Sequence, residues 1–173
     1  MIGAAQVRDG NRRIDLKKKR MLVILIVLTL CAIWFQSALH REASTSESRW
    51  FFDRIRSIMS FLVGPELATE ILLRKMAHFA EFFMLGTESL LLCILIGRRD
   101  LRSLSAVFLL CNFCAFLDET IQIFSGRGSA VSDIWIDTFG SVSGILFVLF
   151  ACAVADTLKE ERENRRSGRD RDA

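Results

Sequence analysis

Four titratable side chains fall within eight residues of an apolar run. RKMAHFAE holds Arg74, Lys75, His78 and Glu81. Two further polar groups follow it. LDETIQ carries Asp118, Glu119 and Gln122, and GRGSAVSDIWID carries Arg127, Asp133 and Asp137. An imidazole among carboxylates can pass protons or ligate a divalent metal. Guanidinium and ammonium groups can hold a phosphate or a carboxylate. By residue type and proximity, His78, Glu81, Asp118 and Glu119 are the candidate metal-ligand set, and all ten residues together are the candidate binding cluster.

What must position these groups is a set of membrane helices. The 173 residues are 51% apolar, with 14 Phe and one Pro, and the mean hydropathy is +0.33. The apolar residues gather in runs of about 20, the length that crosses a bilayer. Residues 1–20 form a basic tail and 21–39 a first span without a charge. No small-x-small cleavage site closes that span, since Trp34-Phe35 stands there, so it reads as an uncleaved anchor. Residues 48–64 place Trp50 or Phe51, Ile55, Ile58 or Met59, and Leu62 on one face, an amphipathic helix for the membrane interface. Gly64-Pro65 ends it. Spans two, three and four are 72–97, 104–124 and 134–155. Residues 156–173 are a charged tail, a frayed helix or disorder. The fold class is therefore an all-α membrane protein, a four-transmembrane-helix bundle with a short interfacial helix between spans one and two.

Lys and Arg divide unequally across these spans: 16 lie on the side of the two tails and 7 on the other. The positive-inside rule puts both termini in the cytoplasm. Trp34, Trp50 and Trp135 then fall at the outer boundary, as an aromatic belt would. At about 1.5 Å per residue, Glu81 stands about 24 Å above the inner end of its span. His78, Asp118, Asp133 and Asp137 come to a similar level, the outer third. Glu88 lies deeper, level with Asn112, and the two are expected to hydrogen-bond.

Register adds detail. Arg74, His78, Glu81 and Glu88 share one helical stripe, while Asp118–Gln122 and Asp133–Asp137 are i,i+4 pairs. Gly140 and Gly144 continue the face of the last pair as a GxxxG, which lets another helix approach closely. Five acids face three bases in the cluster, which leaves room for a proton, a metal or a cationic ligand. The five Cys all sit in apolar runs and read as small hydrophobes, with no disulfide framework. The basic clusters lie at the ends and in one short loop, so no nucleic acid is implied.

RKMAHFAEFFMLG, LDETIQIFSGRG and SDIWIDTFGSVSG together resemble the VanZ-like family of small bacterial membrane proteins. The family pattern R-K-x-x-H-x-x-E, then D-E-x-x-Q, then G-R, then D before a G-x-x-x-G helix corresponds to residues from Arg74 to Gly144, a region of roughly 70–150. Phe82 stands where the family often has Tyr, and Ser125 where it often has Pro. The resemblance implies a multi-pass protein of the bacterial inner membrane, of the cell envelope, whose founding member is associated with resistance to the glycopeptide teicoplanin. It assigns no reaction and no cofactor.

Three readings stay open. The cluster is a binding site for a lipid headgroup, a lipid-linked cell-wall precursor or a cation, and transport through only four spans would need an oligomer. It is an intramembrane metal-dependent or acid/base hydrolase. Or it is purely structural, with ion pairs that fix helix register.

Overall fold

The computed structural model describes residues 2–38, 54–61, 63–125 and 131–171, with side chains described for 15–38 and 133–165 of the first and last segments. Five helices make up the described chain. These are α1 (Ile2–Ala38), α2 (54–61), α3 (Glu70–Leu95), α4 (Leu101–Phe124) and α5 (Val131–Arg171). Four of them contain stretches long and apolar enough to cross a membrane: Asp15–Ala38, Glu70–Leu95, Leu101–Phe124 and Asp133–Arg165. The protein is an all-α, multi-pass membrane bundle. The basic N-terminal residues are the first part of the same helix as span one. The charged C-terminal residues likewise continue α5 to Arg171.

Local sequence sets the helix ends. Thr69 caps α3, its hydroxyl accepting from Leu72 N at 3.2 Å, and Glu70 suits the positive end of the helix dipole. At the other end Gly97 takes φ +82, a left-handed conformation that L side chains rarely adopt. The Gly97 and Arg98 amides then return to Ile94 O at 3.0 Å and Cys93 O at 2.9 Å, the two bonds of a Schellman motif. Asp100 caps α4 by accepting from Ser103 N at 3.3 Å and Ser103 Oγ at 2.7 Å. The three residues Arg98–Asp100 thus turn the chain back on itself.

The tightest pairing is α3 against α5, and glycine is its cause. A Cβ on Gly86 would fall within 3.0 Å of Ser141 O, one on Gly140 within 3.0 Å of Phe79 O, and one on Gly144 within 3.0 Å of Phe83 O. At each approach a glycine of one helix, having no side chain, lets the backbone of a Ser or Phe of the other come close, which maximises van der Waals contact in a setting with little hydrophobic drive between helices. α1 packs on α3 and α4. The core between the helices holds Ile33, Phe82, Leu85, Val107, Ala115 and Val148. Leu109, Phe113, Phe116 and Phe150 point outward and are exposed, the arrangement that suits a hydrocarbon solvent.

In α2, Met59 and Ile55 pack on Ala68, Leu72 and Leu73, whereas Ile58 and Phe61 are exposed. Residues 48–53 of the expected interfacial helix, Trp50 and Phe51 among them, and Leu62 lie outside the described residues.

Candidate functional site

Successive spans run in opposite directions, so one end of the bundle collects the C-terminal ends of α1 and α4 and the N-terminal ends of α3 and α5. Every described titratable group of the cluster sits at that end. His78 comes from the third turn of α3, Asp118 from the last turns of α4 and Asp137 from the second turn of α5. His78 Nδ1 stands 3.6 Å from Asp118 Oδ2 and 3.5 Å from Asp137 Oδ1. One donor atom from each residue lies within 4.8 Å of the other two. Asp118 and Asp137 are both 0% exposed.

The two carboxylates differ in how they are held. Asp118 accepts from Ser37 Oγ of α1 at one oxygen and from Gln122 Nε2 at 2.8 Å at the other. Ser125 Oγ in turn donates to Ser37 O at 2.8 Å, which ties the end of α4 to the end of α1. Asp137 has no hydrogen-bond partner for either oxygen among the described residues, although His78 is at ion-pair distance. A buried charge left in that state is expensive, about 2.5–3.5 kcal/mol even on insertion scales for membrane helices.

Outside this triad lies a cavity of about 110 Å³, lined by Arg74, Lys75, His78, Gln122 and Asp133. Lys75 Nζ is 3.9 Å from Asp133 Oδ1, and the Lys75 side chain is 42% exposed. An ion pair that open contributes little to stability. Lys75 lines the cavity, with Arg74 one residue before it. Glu119 is buried beside Asp118, and Glu81 is half-buried one turn beyond His78. The structure brings nine of the ten expected residues to one end of the bundle. The tenth, Arg127, lies outside the described residues.

Two expectations fail. The metal-capable set is His78, Asp118 and Asp137, without Glu81 or Glu119. Glu81 shares a stripe with His78, but the third donor comes from α5 across the glycine seam. Glu88 also does not meet Asn112. Its carboxylate accepts from Thr29 Oγ1 of α1 at 3.0 and 3.3 Å. Asn112 faces the other way, accepting from Thr138 Oγ1 and donating to Phe108 O, both at 2.8 Å. Equal depth put the pair on one level but not on one face. Ser37, Thr29 and Gly86 carry no signal in the sequence, since a lone small or hydroxyl residue in an apolar span is ordinary.

The VanZ/LLP1 family model matches residues 22–152, which take in all of α3 and α4, the greater part of the first and last spans and every described residue of the cluster. No curated protein and no solved structure matches the chain.

Proposed function

The chain belongs to the VanZ/LLP1 family, and we propose that its polar cavity binds the anionic group of a lipid headgroup or lipid-linked cell-wall precursor. The observation that carries this reading is the cavity itself. Arg74, Lys75 and His78 line it together with Gln122 and one acid, Asp133, at the end of a membrane bundle. Its volume of about 110 Å³ suits a phosphate or carboxylate with a few waters rather than a whole lipid, so the rest of the ligand would stay in the bilayer. The charge asymmetry of the loops supports an outward-facing mouth, with both termini in the cytoplasm of a bacterial inner membrane. An outer-leaflet ligand also agrees with the family's association with a cell-wall antibiotic.

The test is native mass spectrometry of the protein in detergent with phosphatidylglycerol, of net charge −1, with zwitterionic phosphatidylcholine, of no net charge, as the comparison. The expected result is selective retention of the anionic lipid, weakened about tenfold or more when Arg74 and Lys75 are both changed to Gln, since each lost bond to a charged group removes about 1.5–3 kcal/mol. Equal retention of both lipids, or full retention in the double variant, overturns the reading.

A further inference from the structure

We propose that His78, Asp118 and Asp137 form a divalent-cation site of the zinc or manganese type, with an open coordination position facing the cavity. Four observations carry it. The first is the donor set. An imidazole nitrogen and two carboxylate oxygens, one from each of three helices, lie within 4.8 Å of one another. That is three protein ligands of suitable type, the number found where a metal keeps one position for water or substrate.

Spacing is the second. The His78–Asp118 and His78–Asp137 distances of 3.6 and 3.5 Å are too long for good hydrogen bonds, which fall at about 2.7–3.2 Å. They match the edge of a tetrahedron built on metal–ligand bonds of about 2.0–2.2 Å, which is about 3.4 Å. The third is Asp137, fully buried, with neither oxygen hydrogen-bonded among the described residues and with Oδ1 turned to His78. Two such carboxylates beside a neutral imidazole carry a charge of −2, which a divalent ion cancels.

The fourth is the support behind Asp118. Ser37 and Gln122 each donate to one of its oxygens, so the carboxylate is oriented, with Oδ2 3.6 Å from His78 Nδ1. Outer partners of this kind fix a ligand and raise its affinity. The open position would be approached through the cavity that His78 lines beside Arg74 and Lys75. Only this last point rests on the anion-binding reading. There the cation would add two positive charges to the wall that holds the anion.

The experiment uses the full chain in detergent, stripped with EDTA and titrated with zinc chloride, then with manganese chloride, by calorimetry. Metal content is counted by mass spectrometry. The expected result is one equivalent per chain. Asp137→Asn, which removes a ligand, should bind at least about 100-fold more weakly. Ser37→Ala, which removes only a support, should bind about 10–100-fold more weakly. Glu88→Gln, a buried carboxylate outside the triad, should bind as wild type. Absence of saturable binding, undiminished binding in Asp137→Asn, or an equal loss in Glu88→Gln overturns the site. Ser37→Ala keeps all three ligands, so it tests the site even where a ligand variant does not fold. Metal uptake without selective lipid retention leaves the cation site standing and the anion reading fallen; lipid retention by the stripped protein without metal uptake does the reverse.

Discussion

Two regions join α3 to α5, and they do it by opposite means. Along the seam, Gly86, Gly140 and Gly144 bring backbone against backbone. At the end of the same pair, His78 and Asp137 meet through titratable side chains, with Asp118 of α4 as the third party. The seam needs nothing but the two helices. The cluster holds a fully buried carboxylate without a hydrogen bond among the described residues and opens beside a cavity lined by Arg74, Lys75 and Asp133. A bundle that requires only adhesion has the seam for it. Charges in the same interface, at a cost in desolvation, point to a ligand rather than to packing.

The largest expected effect lies in the seam. At Gly144 an added methyl would press on Phe83 O, Thr87 Oγ1 and Thr87 N, two of them backbone atoms that cannot turn aside. Gly144→Ala should therefore cost about 3 kcal/mol or more, the upper end of overpacking, read as a lowered thermal midpoint in detergent. Gly97→Ala meets no atom within 4 Å and has only its φ of +82 against it, about 1–2 kcal/mol. If the two variants fall equally, close approach is not what holds α3 to α5, and the contrast with the cluster loses one side.

The next effect separates the two acids within the cluster. Asp118→Asn puts an amide where both oxygens accept, from Ser37 and from Gln122, and should lower the midpoint by the equivalent of about 1–3 kcal/mol. Asp137→Asn removes a buried charge that accepts no hydrogen bond among the described residues. In protein stripped of metal its midpoint should be unchanged or higher. A clear loss in Asp137→Asn would make the His78–Asp137 contact adhesive, and the cluster would then resemble the seam in purpose.

This difference between the acids also marks how far the sequence could be read. Charges stand out in apolar runs, so His78, Asp118 and Asp137 were all visible as members of a polar level, and the loop charges and run lengths indicated the four-span bundle. Which of them touch was not visible. Helical spacing orders residues within one helix, and so it favoured Glu81 with His78 and Glu119 with Asp118. The contact set depends on how α5 is rotated against α3, which the seam decides. The GxxxG of Gly140 and Gly144 was legible, but its complement, Gly86, is one small residue among many. Thr29 and Ser37, which hold Glu88 and Asp118, are hydroxyls whose partners lie 59 and 81 residues away. No local pattern reaches that far.

The smallest expected effect belongs to neither region and serves as their reference. Asp100 lies at the opposite end of α4 from Asp118, fully exposed, with partners drawn only from its own first turn. The hydrogen bond from the Ser103 hydroxyl, followed by bonds from backbone amides, holds its carboxyl below the ordinary value of 3.8. A carboxylate whose folded value is depressed contributes stability that is fully present above its unfolded value and is lost as pH falls through its folded value. The advantage of wild type over Asp100→Ala should therefore be small and constant from neutral pH down towards 3.8, and should fade below it. Asp100→Asn retains a capping oxygen without the titration, so its midpoint relative to Asp100→Ala should not fade in that way. Both Asp100 variants should take up zinc as wild type does. If either loses the metal, the ends of α4 are coupled through the helix, and a change at Asp118 or Asp137 could no longer be read as local to the cluster.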